Sequence, residues 1–557
     1  LQARAMNKAD IRDFRRWHRQ AALRAKQAEF DLVYVYAGHS LTLLMHFLSR
    51  RFNHRTDEYG GSLENRVRLF REVLEDTKDA VGDKCAVAVR FAVDELLGPK
   101  GITCESEGRE VVEMLAEIPD LWDVNISGWE NDSVTSRFEK EGYQETYINF
   151  VKSLTTKPVV GVGRYTSPDT MVSLIKRGVI DMIGAARPSI ADPFLPKKIE
   201  EGRIDEIREC IGCNICVAGD WLAVPMQCTQ NPTMGEEWRR GWHPEKIESR
   251  KSNDGVLVLG GGPAGLECAL TLGKRGYRVI LAEASAELGG RVTRESKLPG
   301  LAEWGRVRDH RVVMLEKLKN VTFYLGSSLT AEDILEFSDD DKFGFSHIFL
   351  STGATWRRDG IAREHREPIP GLEHVSVLTA DDIMDGISAH GKVVIFDDEH
   401  YYMGGVLAEK LRLDGHDVKL VTPAPDISTW THNTMEQGRI QKNLLELGVE
   451  LATHHNLASV HPGAVELACV FTDKRVHYSC DTLVLVTERQ PNDEIYRTMQ
   501  ADSGGVAKSG LKTIQCIGDC LAPGIIAASV HSGHLAAREF EADIPGNVPF
   551  LRERVML

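Results

Sequence analysis

The stretch Gly255-Val-Leu-Val-Leu-Gly260-Gly261-Gly262-Pro-Ala-Gly265 decides the fold of the second half of the chain. Its Val- and Leu-rich opening reads as a buried parallel strand, the glycines as a tight turn, and the run through Lys274 as a helix. Gly260, Gly262 and Gly265 allow close approach of backbone to a pyrophosphate at a helix N-terminus, where unpaired N–H groups and the helix dipole attract anions. Glu283 stands eighteen residues beyond Gly265, at the end of the next strand (277–283), where it can bond a ribose hydroxyl. The βαβ context predicts adenine-nucleotide binding; the alternative is a vestigial fold with an empty site.

A second βαβ unit spans 392–421, but Asp397-Asp398-Glu399 stands where phosphate would sit. Carboxylates there repel a dinucleotide, so this module is expected not to take NAD(P)H. The tail, 514–541, reads as a strand, a Gly518-Asp519 turn and a helix that returns to complete the first module.

Up to about residue 206, β-rich runs (30–36, 85–91, 121–127, 157–163 and 179–187) alternate with amphipathic helical stretches. This is the pattern of a parallel α/β sheet, whose chemistry gathers at the C-terminal ends of the strands. Tyr36 and His39 follow one strand and Trp129 to Asp132 another, so a phenol, an imidazole and a carboxylate can converge as an acid/base group. Arg90, Gly163 with Arg164, and Arg187 end three further strands, as phosphate-holding residues do in barrels.

Cys210, Cys213 and Cys216 lie in one tight loop, with Cys228 after eleven more residues, a spacing that suits a [4Fe-4S] cluster better than the paired knuckles of structural zinc. Lys and Arg number 67 against 82 Asp and Glu, a net charge of −15, which argues against nucleic-acid and anionic-membrane partners. With no apolar run near the ~20 residues of a membrane span and no signal-peptide core, a cytoplasmic location is expected.

Asp31-Leu-Val-Tyr-Val-Tyr36-Ala-Gly-His39 and Asn53-His-Arg-Thr-Asp-Glu-Tyr-Gly-Gly-Ser-Leu-Glu-Asn65-Arg66 resemble the old-yellow-enzyme-type flavin barrel. Together with Cys-Ile-Gly-Cys-Asn-Ile-Cys, Gly241-Trp-His-Pro-Glu-Lys246 and the Gly-rich module, the chain resembles the trimethylamine and dimethylamine dehydrogenases, relatives of histamine dehydrogenase. The resemblance implies a (β/α)8-type barrel, of which about the last five βα units fall in this chain, followed by two nested Rossmann-like domains. The expected divisions are 1–206 for the barrel part, 207–252 for a cluster-binding connector, 253–385 plus 488–557 for an ADP-binding domain, and 386–487 for a degenerate one.

FMN, a [4Fe-4S] cluster and ADP are the implied cofactors. Tyr36, His39 and Asp132 would be the catalytic triad, and Trp129 and Trp221 walls of an aromatic bowl for a substituted ammonium. Arg90 would face the flavin ring, Gly163, Arg164 and Arg187 its phosphate, and Gly518 and Asp519 the nucleotide phosphate or ribose. The implied activity is oxidative N-demethylation of trimethylamine or dimethylamine, with electrons passing to an electron-transferring flavoprotein from a homodimer. Glu303-Trp304-Gly305-Arg306 departs from the family's docking groove, which carries a Tyr after Glu-Trp-Ser. Histamine or an N-methylated amino acid as substrate, a dienoyl-CoA-reductase-like NADPH enzyme, and an inactive fragment lacking N-terminal barrel strands stand as alternatives.

Overall fold

Alternate residues of a strand face opposite ways, and in the first part of the chain one such set is apolar and buried: Val35 and Ala37, Val87, Val89 and Phe91, Trp122 and Val124. The computed structural model describes residues 3–338, 343–472, 474–542 and 550–551. It divides into two units, Leu1–Val134 with Glu139–Pro188, and Thr135–Phe138 with Ser189–Leu557.

In the first unit, β1 (Leu32–Ala37), β2 (Ala86–Ala92), β3 (Leu121–Asn125), β4 (Val159–Gly161) and β5 (Met182–Ile183) form one parallel sheet in sequence order, as consecutive barrel strands do. The register aligns Tyr36 with Arg90 and Arg90 with Asp123, which lines a phenol, a guanidinium and a carboxylate across three strands. Two long helices, Lys8–Gln27 and Leu63–Val81, cover the outside, joined by Arg15 to Asp76 at 2.6 Å. The run expected as a strand to residue 187 is a strand only at 182–183. Gly184 releases the chain, and Arg187 sits in the helix Ala186–Ala191, whose first turn tolerates Pro188.

In the second unit, one parallel sheet has the order Thr513–Cys516, His347–Leu350, Gly255–Leu259, Arg278–Ala282, Val321–Tyr324. The tail strand thus joins the Gly-rich module from a distance of more than two hundred residues. A second parallel sheet runs Ser376–Thr379, Thr482–Val486, Lys392–Asp397, Asp417–Val421, Glu450–Ala452. A three-stranded antiparallel sheet, His455–His461, Ala464–Cys469 and Arg475–Ser479, was not foreseen, because its short strands mix polar and apolar residues. Among the described residues no helix is long and apolar enough to cross a membrane.

Candidate active site

After β1 the chain turns through Gly38 into His39 and Ser40, at φ 55° and 51°; Ser127 after β3 and Arg164 after β4 take 49° and 54°. Non-glycine residues in this left-handed region cost of order 1–3 kcal/mol each, so the surrounding packing must hold them there. A parallel bridge joins His39 to Gly128, setting the loops after β1 and β3 side by side. The short helix Trp129–Asp132 then delivers a carboxylate to the imidazole.

His39 Nε2 lies 2.8 Å from Asp132 Oδ2, and the Tyr36 hydroxyl is hydrogen-bonded to His39 Nδ1. Gln144 Nε2 donates to Asp132 Oδ1 at 2.7 Å, and the Tyr143 hydroxyl to the Asp132 carbonyl at 2.6 Å. Burial pushes the Asp132 carboxyl up, but His39, Gln144 and Arg90 together outweigh it and hold the group below the ordinary carboxylate range. Burial raises the Tyr36 phenol above its ordinary value, opposed by Arg90. A neutral phenol donates, so Nδ1 accepts and the ring proton sits on Nε2, facing Asp132. The Asn125 side-chain amide also lies 2.8 Å from Nε2, and its carbonyl oxygen is otherwise unpartnered; a half-turn of the amide gives Nε2–H a second acceptor.

Arg90 pairs with Asp123 at 3.0 Å and Asp132 at 3.5 Å, balancing two buried acids beside the triad. Burial raises the Asp123 carboxyl, with Arg90 opposing. Asp123, Asn125 and Gln144 were missed by the sequence reading. Asp123 and Asn125 carried a signal, polar residues at alternate positions of an otherwise apolar strand. Gln144 carried none, being brought in by a loop.

The Trp129 ring stands 6.2 Å from the His39 ring, tilted by 30° and one-third exposed. Trp221 ends the helix Ile215–Trp221 of the second unit and is exposed. Gly163 and Arg164 follow β4; Arg164 is buried and donates to the Glu139 carbonyl at 3.0 Å. Arg187 Nη1 donates to the carbonyls of Ser133 and Val134 at 3.1 and 3.2 Å.

In the second unit, a cleft of about 610 Å³ is lined by Gly260, Gly262, Glu283, Arg291 and Asp519 among others. A Cβ on Gly265 would meet the Gly260 carbonyl oxygen at 1.9 Å, and one on Gly260 that of Ser351 at 2.4 Å, so these two glycines serve packing. A Cβ on Gly262 would meet nothing within 4 Å. Glu283 accepts from Gly261 N at 2.6 Å and Ser285 N at 2.8 Å, which fixes its carboxylate at the rim. Gly518, at φ 61°, abuts Ala264, and Asp519 accepts from Arg291 at 2.7 Å and Arg489 at 2.6 Å.

The corresponding turn of the second parallel sheet is closed by its own acids. Asp397 accepts from the backbone of Glu399 and His400, Glu399 from that of Tyr401 at 2.9 Å, and Asp398 sits 3.1 Å from His400 Nε2. Burial pushes the Asp397 carboxyl up to about 6 and that of Glu399 to about 7.

Cys210 and Cys216 are buried, and Cys213 and Cys228 partly so. Gly212 N donates to Cys210 Sγ at 3.4 Å, Cys213 Sγ lies 3.2 Å from Thr229 Oγ1, and Ser136 ties the loop through the Ile211 carbonyl at 2.6 Å. Burial raises the Cys213 thiol to about 11, and raises Cys228 with the other three sulfurs adding.

Residues 1–206 match the NADH:flavin oxidoreductase / NADH oxidase family, and residues 254–534 the pyridine nucleotide-disulphide oxidoreductases. Dimethylamine dehydrogenase of Hyphomicrobium sp. (strain x) is 41% identical over 98% of this chain and 78% of its own length. The chain belongs to the trimethylamine and dimethylamine dehydrogenase family. Two solved structures of this group superpose closely. Histamine dehydrogenase from Rhizobium sp. 4-9 has a TM-score of 0.96 and 49% identity over 100% of this chain and 81% of its own. The 6-hydroxypseudooxynicotine amine oxidase from Pseudomonas geniculata N1 has 0.93 and 51% over 97% and 80%. Membership makes the chain an amine dehydrogenase of the flavoprotein class.

Proposed function

We propose that the chain oxidises a small amine, bound as its ammonium, at the Tyr36–His39–Asp132 triad. The observation that carries this reading is the hydrogen-bonded chain from phenol to imidazole to a carboxylate held ionised. Trp129 offers its ring face to the cation. As the ammonium gives up its proton, Tyr36 receives it while passing its own to His39 Nδ1, and Asp132 stabilises the resulting imidazolium. Arg90 keeps Asp123 and Asp132 from repelling each other across the site.

The residues present fit three bound groups. Arg90 in β2, Gly163 and Arg164 after β4, and Arg187 in the helix Ala186–Ala191 would hold FMN, the three arginines supplying positive charge. Cys210, Cys213 and Cys216 in one tight loop, with Cys228 after eleven more residues, are four thiols buried or partly buried that suit a [4Fe-4S] cluster. Gly260, Gly262, Glu283 and Asp519 line a cleft for ADP, with Gly265 packed against Gly260 and Gly518 against Ala264 behind it. When bound, FMN supplies a two-electron acceptor, the cluster a one-electron relay toward an electron-transferring flavoprotein, and ADP no redox chemistry. On this reading 1–206 is the flavin domain, 207–252 the cluster connector, 253–385 with 488–557 the ADP domain, and 386–487 a companion whose acid-filled turn excludes NAD(P)H.

For the substrate, dimethylamine and trimethylamine are one arm. Histamine is the second, supported by 49% identity over the whole chain to histamine dehydrogenase. The test is an anaerobic visible titration of the purified protein with each amine, and with NADPH in parallel. Bleaching of the flavin band by an amine alone names the arm; bleaching by NADPH alone sinks the proposal.

A further inference from the structure

Among the described residues, two groups of three side chains bring one possible ligand atom each within 4.8 Å of the others: Asp254, His347 and Glu541, and His461, Glu466 and His477. The first already holds its own cation, since Lys512 Nζ lies 2.5 Å from Asp254 Oδ2. In the second, Arg475 Nη1 pairs with Glu466 Oε2 at 2.6 Å and leaves Glu466 Oε1 facing His477, and the group lies on the antiparallel sheet that neither nucleotide module needs for its own strands.

The register explains why these three meet. Glu466 is paired with His477 on one side and Ser459 on the other, while His461 pairs with Ala464 across the Pro462-Gly463 turn. Residues two apart on a strand share a face, so His461, Ser459, Glu466, Arg475 and His477 all stand on one side. Glu466 Oε2 is committed, accepting from Ser459 Oγ at 2.9 Å and Arg475 Nη1 at 2.6 Å. Its Oε1 faces His477 Nε2 at 3.7 Å, too long for a hydrogen bond and open to an intervening ion. The His461 and His477 rings are 5.6 Å apart and inclined by 55°, so they do not stack on each other. Ser459 Oγ also reaches His461 Nε2 at 3.1 Å, linking one imidazole to the carboxylate.

We propose that His461, Glu466 and His477 form a surface site for one borderline divalent transition-metal ion, of the Zn2+, Co2+ or Ni2+ class. Two imidazoles and one carboxylate are the donors such ions select, whereas Mg2+ and Ca2+ prefer oxygen alone. Both histidines are exposed, so water completes the coordination. Arg475 is the site's competitor: its guanidinium opposes the incoming cation.

The test is equilibrium dialysis of Zn2+ against the purified, cofactor-loaded protein, with metal counted by elemental analysis. The wild type should bind one more equivalent than His461→Ala/His477→Ala, or bind it at least about a hundredfold more tightly. Glu466→Gln, which keeps the hydrogen-bond acceptor, should weaken the same equivalent and guards against misfolding of the double variant. Arg475→Ala should tighten it several-fold. A wild type that takes up no such equivalent, a double variant that keeps it, or an Arg475→Ala protein of unchanged affinity would overturn the proposal.

Discussion

Tyr36 and Asp132 are pushed apart in their titrations, the phenol upward and the carboxyl downward. The signs follow. Asp132 contributes stability above the ordinary carboxylate range that is lost as pH falls through its depressed value; Tyr36 contributes below the ordinary phenol range and loses it as pH rises through its raised one. Amine turnover should therefore show no break from either group between about pH 5 and 9. A break near neutrality that vanished in Asp132→Asn would show that the carboxyl is not held down. Replacing His39 by Gln should cost about 10²–10⁴ in turnover while leaving the cluster absorbance intact. Unchanged turnover would remove His39 from the mechanism. That Tyr36, His39 and Asp132 meet was legible because each stands at or just after the end of a strand run. Asn125, beside His39 Nε2, and Asp123, paired with Arg90, were not, since a polar residue inside a strand does not announce which neighbour it will meet.

The two nucleotide turns show how one element diverges. In the first, Gly265 sits against the backbone of Gly260 while Gly262 faces open space. Gly265→Ala should misfold, whereas Gly262→Ala should purify folded with its nucleotide content, measured by release and chromatography, much reduced. Equal nucleotide content in Gly262→Ala would mean the cleft is used elsewhere along its length. In the second turn, the raised carboxyls of Asp397 and Glu399 reverse the usual sign: their ionised forms penalise the fold as pH rises from about 4 toward 7. Asp397→Asn keeps the acceptor for the Glu399 and His400 N–H groups and should raise the melting temperature at pH 8, by up to about 3 kcal/mol of stability, with the gap roughly halved near pH 5 and closed below about pH 4. A gap that widened at pH 5 would contradict the burial argument. The Gly-rich strand and helix could be read from sequence because periodicity and glycine spacing agree. Strand β5 could not, because Gly184 and Pro188 cut it to two residues.

Across the second unit, Glu267 on the helix Pro263–Arg275 binds Arg311 at 2.7 Å on the helix Arg306–Glu316 and His534 at 2.8 Å on the helix Ile526–Glu539. All three are buried, and burial holds His534 at about 4, so it is neutral near pH 7 and donates through Nδ1. Glu267→Ala strands a buried guanidinium and should cost about 3–5 kcal/mol, read as a melting temperature lower by roughly 10 °C. A shift under a degree would mean water takes the carboxylate's place. His534 belongs to the same returning tail as the strand Thr513–Cys516, which completes the sheet begun at Gly255–Leu259. That arrangement sets an order of birth. At ~5–20 residues per second, the ribosome emits His347–Leu350 long before its outer partner, leaving one strand edge bare for roughly 8–33 s, and a bare edge invites pairing with a neighbouring nascent chain. The cleft beside Gly260 and Gly262, lacking Asp519 until then, can close only after residue 519 has emerged, so crowded translation should tax this sheet heavily.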